Sequence, residues 1–175
     1  MLLKFPEEEK FIAEFNHHNC ITKYGHLSLF DAYKTDFVKL NELSVIYNKE
    51  MPVFLIEAWI NNLILFLGFN KTLRDYQVAE LSGYIYDEIH FLNIAELTIL
   101  FKRIKTGYYG EFFNSINVSN IIKWCREFRK ERGSIISKSK EVDLSKEGQE
   151  INRAYLSWKK WKRKMIRCKY RHVIR

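Results

Sequence analysis

The sequence predicts an all-α protein, a single helical domain of about six helices followed by a basic C-terminal helix. Apolar residues recur every three or four positions along most of the chain, whereas a period of two is nowhere sustained. Two prolines and seven glycines in 175 residues are too few for the many turns of a β fold. The hydrophobic content of 47% and the aromatic content of 15% argue against disorder and can supply a core.

The first two helices are predicted in the N-terminal quarter of the chain. Pro6 and the three glutamates after it are typical of a helix start, because proline suits the first turn and acids suit its positive end. His17, His18 and Cys20 are three potential metal ligands, but no fourth ligand follows at a usual spacing, so we interpret this stretch as a polar loop. Ser28 then begins a second helix, whose apolar stripe is expected to reach Leu43.

The most apolar stretch, 52–67, is predicted to be a central core helix that ends at Gly68. A membrane-spanning helix needs ~20 mostly apolar residues. Here a glutamate and two asparagines interrupt a run of only about fifteen residues, so we expect no membrane insertion. A fourth helix is expected from the capping residues Thr72 and Asp75 to about Phe91.

A helical hairpin is predicted over residues 93–133, and the rest of the body is expected to be organised around it. An Asn-x-x-Glu capping box begins its first helix at Asn93, and Gly107 is expected to end that helix. The second helix is expected to begin near Asn117 or Ser119, both good caps, and to end at the glycine that closes the range.

The hairpin also carries two candidate functional features. Its cations could bind phosphates or an acidic partner; the alternative is a solvated surface with ion pairs one helical turn apart. The members of this secondary basic face, called the hairpin cations below, are Lys102, Arg103, Lys105, Lys123, Arg126, Arg129 and Lys130. The residues of the hairpin turn are Gly107, Tyr108, Tyr109 and Gly110.

The run from Asn93 to Ile116 resembles a segment of small helical proteins encoded by phages and mobile elements of Bacteroides-type bacteria. In those proteins a helix ends in a Gly-aromatic-Gly turn, and a second helix carries an aromatic and basic pattern like that of Trp124–Arg132. Similar turns occur in phage and plasmid replication accessory proteins of the helicase-loader kind. The resemblance, over about forty residues, implies a replication accessory factor. Its expected partner is a protein such as a replicative helicase or a virion protein.

Charge is distributed unevenly along the chain. Residues 1–152 contain 19 Lys and Arg against 21 Asp and Glu, whereas residues 153–175 contain ten Lys and Arg and no acid. Such asymmetry favours a polyanionic partner for the basic end. The serine- and charge-rich segment 134–147 is predicted to be a linker between a helical domain, 1–133, and a basic amphipathic helix, 148–175.

This C-terminal helix combines a narrow apolar stripe, from Ile151 to Cys168, with cations on its other faces. It could bind nucleic acid by neutralising phosphates and stacking on bases, lie on an anionic membrane, or dock its stripe on a protein. We predict the first use, with single-stranded or duplex DNA as the partner. The predicted nucleic-acid-binding residues are Trp158, Lys159, Lys160, Trp161, Lys162, Arg163, Lys164, Arg167, Lys169 and Arg171.

Signatures of catalysis are missing from the sequence. It contains no Gly-rich phosphate loop, no His-Glu-x-x-His, no Cys-x-x-Cys and no Gly-x-Ser-x-Gly. Asp87 and Glu88 are helical neighbours that point about 100° apart, so we interpret them as a solvated face rather than an acid–base pair. We expect no enzymatic activity, no cofactor and no bound metal.

Three widely spaced cysteines indicate no disulfide framework and fit a reducing compartment. Residues 1–9 lack the apolar run of a signal peptide, so a cytoplasmic protein is expected, in the bacterial host if phages encode it. The prediction is a non-enzymatic, nucleic-acid-associated accessory protein of phage or mobile-element DNA replication, resembling helicase loaders. The alternative is a phage virion structural, packaged or scaffold protein that acts through protein–protein contacts.

Overall fold

The computed structural model describes residues 7–68, 73–112 and 116–171, without the side chains of 143, 144 and 161–171. Within these residues the chain forms α-helices and no strand, which confirms the all-α prediction. The helices are α1 (Glu8–Glu14), α2 (His17–Tyr24), α3 (Leu29–Lys34), α4 (Leu40–Ile46), α5 (Met51–Leu67), α6 (Asp75–Ile89), α7 (Ile94–Lys105) and α8 (Val118–Arg171). Pro6 and Thr72, predicted at helix starts, lie outside the described residues.

The chain packs as two units, Met1–Gly133 and Ser134–Arg175. In the first unit α5 packs against α4, α6 and α7, while α2 and α3 pack against α7. Trp59 is fully buried on α5, and its indole Nε1 donates a hydrogen bond of 2.9 Å to the carbonyl oxygen of Phe15. The prediction that this apolar stretch forms the core helix is therefore confirmed.

The helix α5 ends as its sequence predicts. Gly68 has a φ of 62°, the left-handed conformation that glycine adopts without a steric cost. Among the residues described, no helix combines the length and the apolar character needed to cross a membrane.

The polar loop predicted around His17 and Cys20 is instead the helix α2. Asn16 caps it, because the side-chain Oδ1 accepts a hydrogen bond of 3.0 Å from the backbone N–H of Asn19. His17 and Cys20 are both buried on the inner face of this helix. The loop prediction is wrong because His17, a residue type that is often exposed, is buried here together with Cys20.

The single helix predicted from Ser28 to Leu43 is also wrong, since the chain forms α3 and α4 with an extended break between them. Thr35 ends α3 in an extended conformation. The side-chain Nδ2 of Asn93 donates hydrogen bonds to the carbonyl oxygens of Ala32 and Thr35, at 2.9 and 3.1 Å. A residue about sixty positions away thus stabilises the end of α3, which local periodicity cannot indicate.

The first helix of the hairpin forms as predicted. Asn93 Oδ1 accepts from the N–H of Glu96 at 2.9 Å, and Glu96 Oε2 accepts from the N–H of Asn93 at 3.1 Å, which is a complete capping box. Gly107 follows α7 with a φ of 70°. Asn117 caps α8, since its Oδ1 accepts from the N–H of Ser119 at 2.9 Å.

The helix α8 continues through Gly133 and through the whole predicted linker, 134–147. The predictions of a helix end at Gly133, of a non-helical linker and of a new helix start near residue 148 are therefore wrong. Gly133 does not have a positive φ, and a glycine inside a helix costs only about 1 kcal/mol relative to alanine. No proline follows to stop the helix. The assignment of residues 1–133 as a separate helical domain stays a prediction.

Candidate nucleic-acid interface

Arg103, one of the hairpin cations, is held inside the hairpin by a carboxylate. Its Nη1 and Nη2 donate to the two oxygens of Glu131 at 2.7 and 3.1 Å, the bidentate geometry that suits a guanidinium. Nη1 also donates to the hydroxyl of Tyr109 at 3.1 Å. The guanidinium lies 4.6 Å from the ring centroid of Tyr108. These contacts join the turn to the two helices of the hairpin.

Arg126 and Arg129 both pair with Glu88 on α6. Arg126 Nε lies 2.6 Å from Glu88 Oε1, and Arg129 Nη1 lies 2.7 Å from Glu88 Oε2. The Glu88 side chain is mostly buried, so interpreting this residue as part of a solvated face is wrong. One carboxylate is therefore shared by two of the hairpin cations and neutralises one of their two positive charges.

Lysines make up the remaining hairpin cations. Lys123 lies 3.8 Å from Glu127, one helical turn away, and Lys130 is exposed. Lys102 Nζ donates to the carbonyl oxygen of Gly25 at 2.7 Å, and Lys105 Nζ donates to Asn62 Oδ1. Most of the secondary basic face thus has intramolecular partners, and phosphate binding by these residues stays a prediction.

The hairpin turn is built by packing between its own aromatics and α8. Gly110 has a φ of 138°, and a Cβ at this position would lie 3.7 Å from the Trp124 ring. Phe112 packs edge-to-face on Trp124, with ring centroids 4.9 Å apart. Burial raises the pKa of Tyr109 to about 12, so its hydroxyl remains protonated at neutral pH. The geometry gives this turn a structural role.

The described part of the basic C-terminal segment has exposed side chains at every position from 145 to 160. Tyr155 and Trp158 are 53% and 50% exposed, and their rings stack with centroids 6.1 Å apart. Lys159 Nζ lies 5.8 Å from the Tyr155 centroid. Two exposed aromatic rings and one ammonium group therefore lie together on about one turn of the helix.

The rest of the predicted interface can be placed only along the backbone. The helix α8 extends to Arg171, so these positions are helical. Their side chains lie outside the described residues: Trp161, Lys162, Arg163, Lys164, Arg167, Lys169 and Arg171.

Metal chemistry has no candidate centre in the described part of the chain, since no three His, Cys, Asp or Glu side chains there could hold an ion together. Burial raises the pKa of the Cys20 and Cys125 thiols to about 12, so neither is a reactive thiolate at neutral pH. Both cysteines are core residues.

The sequence did not reveal that three glutamates form ion pairs with arginines of the hairpin. These glutamates are Glu88, Glu96 and Glu131. Each lies between 28 and 41 positions from its arginine partners, so counting charges along one helix does not reveal the pairs. Comparison of the chain with protein-family models, curated proteins and solved structures found no match.

Proposed function

We propose that this chain is a non-enzymatic DNA-binding accessory protein, and that residues 153–171 hold single-stranded or duplex DNA. The observation that supports this proposal most strongly is that Lys159 and Lys160 are exposed beside Tyr155 and Trp158, in a segment without Asp or Glu. Lysine and arginine bind DNA by releasing counterions from phosphates, and aromatic rings stack on bases.

The contrast with the hairpin cations supports this assignment. Arg103, Arg126 and Arg129 are each within 2.7 Å of a carboxylate oxygen, so a phosphate would have to compete with an existing ion pair. The segment 153–175 has no carboxylate side chain of its own. Electrostatic attraction to a polyanion is therefore strongest at the C-terminal segment.

The proposed setting is phage or mobile-element DNA replication in the host cytoplasm. It rests on the sequence resemblance of the hairpin to helicase-loader-like proteins. In this proposal the helical body binds a protein such as the replicative helicase, and the basic segment holds DNA nearby. The sequence has no Gly-rich phosphate loop, so the proposed action uses binding energy alone.

A second candidate function is a virion structural, packaged or scaffold protein. Ile151 and Tyr155, which are 70% and 53% exposed and lie one helical turn apart, favour it because an apolar surface on this helix could pack on a protein. Salt separates the two functions, since binding through phosphates weakens steeply with salt and an apolar protein interface does not.

Fluorescence anisotropy with short labelled DNA, single-stranded and duplex, tests the proposal. Replacing Trp158 by alanine removes one stacking ring and should weaken single-stranded binding by about 1–3 kcal/mol, with a smaller effect on duplex DNA. The control is Lys49→Gln, which removes an exposed cation of the body outside the hairpin and should leave affinity nearly unchanged. If the Trp158→Ala variant binds single-stranded DNA as tightly as the unmodified chain, a stacking role for Trp158 is contradicted. If the unmodified chain binds no DNA, the proposed function is refuted.

A further inference from the structure

A cleft of about 590 Å³ opens on the surface of the Met1–Gly133 unit, remote in sequence from the proposed DNA-binding segment. The helices α2, α5 and α7 form its walls, with His18 and Ile21 on α2, Leu65 and Phe66 on α5, and Lys102 and Lys105 on α7. Its volume lies in the range typical of small-molecule sites.

Lys105 is the polar centre of this cleft. Its ammonium donates to Asn62 Oδ1 and lies 3.2 Å from His17 Nδ1, which can accept because burial lowers the pKa of His17 to about 4. Both partners are therefore neutral at pH 7. An ammonium has three N–H donors, and the described residues provide acceptors for two of them.

Lys102 and Lys105 also differ from the arginines of the hairpin. Neither forms an ion pair with any carboxylate among the described residues, whereas Arg103, Arg126 and Arg129 each do. Lys105 is half-buried, and a half-buried charge without a counter-charge is costly. The cleft therefore contains two ammonium groups that form no ion pair with a carboxylate of the described residues.

The wall opposite these cations is apolar and exposed. Leu65 and Phe66, at the end of α5, are 79% and 62% exposed. The ring of Phe66 has its centroid 4.8 Å from Lys105 Nζ, so the apolar wall directly adjoins the charge. Leu65 and Phe66 therefore offer exposed apolar surface next to the ammonium groups of the cleft.

We propose that this cleft binds a small organic anion, with a carboxylate or phosphate monoester at Lys102 and Lys105 and an aromatic or aliphatic body against Leu65 and Phe66. The residues of the cleft are not those proposed to bind DNA, so the anion-binding proposal and the DNA-binding proposal can each fail without the other. Charge gives it selectivity for anions, and the apolar wall gives it selectivity against simple inorganic ions.

The test is a fluorescence titration of the full chain with the aromatic sulfonate 8-anilinonaphthalene-1-sulfonate. Saturable binding at one site is expected. The Lys105→Gln variant should bind at least about tenfold more weakly, because a charge-assisted hydrogen bond is lost. Lys130→Gln, which removes a cation elsewhere on the same unit, is the matched control and should bind like the unmodified chain.

The Phe66→Ser variant keeps the proposal testable if the Lys105→Gln variant fails to fold. The Phe66 ring is exposed and can be removed without disturbing the core. This variant should also bind the sulfonate several-fold more weakly, while its thermal unfolding stays unchanged. Benzoate, laurate and adenosine monophosphate, used as competitors, separate aromatic, aliphatic and nucleotide anions. Equal affinity in the Lys105→Gln and Lys130→Gln variants, or displacement by inorganic phosphate as efficient as by benzoate, would overturn the proposal.

Discussion

Replacing Glu96 by glutamine should destabilise the helical body far more than a surface charge change does. The Glu96 side chain is 1% exposed, and its Oε1 lies 2.6 Å from Nε of Arg132, whose side chain is 16% exposed. The guanidinium also lies 5.0 and 4.9 Å from the ring centroids of Tyr33 and Phe91. Arg132 is therefore largely removed from water, and Glu96 is its counter-charge.

Glutamine keeps an oxygen that can accept from the backbone N–H of Asn93, so the capping box of α7 can persist. What is lost is the negative charge, which leaves the largely buried Arg132 without a counter-charge. Removing one member of a buried pair costs about 3–5 kcal/mol. With a urea dependence of about 2 kcal/mol per molar, the midpoint of unfolding should fall by roughly 2 M.

The measurement is urea unfolding followed by circular dichroism at pH 7. The matched control is Glu127→Gln, which breaks the exposed pair with Lys123 and should cost less than about 1 kcal/mol. The double variant Glu96→Gln with Arg132→Met should lose less than the sum of the two single variants, because it leaves no unpaired charge. If Glu96→Gln costs no more than Glu127→Gln, the account of this buried pair is refuted.

Two further predictions concern single residues of the same unit. Burial, with smaller contributions from the charges of Lys105 and His18, lowers the pKa of His17 from 6.5 to about 4, so the unfolded chain binds a proton there that the folded chain does not. The free energy of unfolding should therefore fall as the pH drops below about 6.5, by about 3 kcal/mol at pH 4. A His17→Phe variant, measured by the same urea titration, should lack this part of the loss. Gly68→Ala should lower the thermal midpoint by the equivalent of about 1 kcal/mol, because the φ of Gly68 is positive. Gly83→Ala should raise the midpoint, because Gly83 lies inside α6 with open space around its Cβ position. Equal shifts of the midpoint in the two variants would contradict the conformational argument.

Local sequence signals predicted several elements well. The capping box at Asn93 and the apolar run before Gly68 act within a few residues of themselves, so periodicity and capping rules were sufficient. The break at Thr35 depends instead on the side chain of Asn93, which lies 58 positions further along the chain. Long-range contacts of this kind leave no mark on local periodicity.

The candidate site, too, has features that the sequence alone indicates and features that depend on long-range contacts. The concentration of cations after residue 153 is a property of composition and was evident from the sequence. The partners of Arg103, Arg126 and Arg132 lie on other helices or far along the chain, so the sequence could not distinguish cations in ion pairs from available ones. Gly133 was interpreted as a helix end because glycine often takes a positive φ there, but it adopts an ordinary helical conformation.

The most direct test of the central claim is the salt dependence of DNA affinity for the full chain and for a variant with Arg153, Lys159 and Lys160 replaced by glutamine. The logarithm of the association constant should fall linearly with the logarithm of salt concentration between about 50 and 200 mM. The variant should bind more weakly, with a slope shallower by about 2 to 3, since each lost phosphate contact contributes about 0.7–0.9. Equal slopes for the two proteins would contradict DNA binding through this segment.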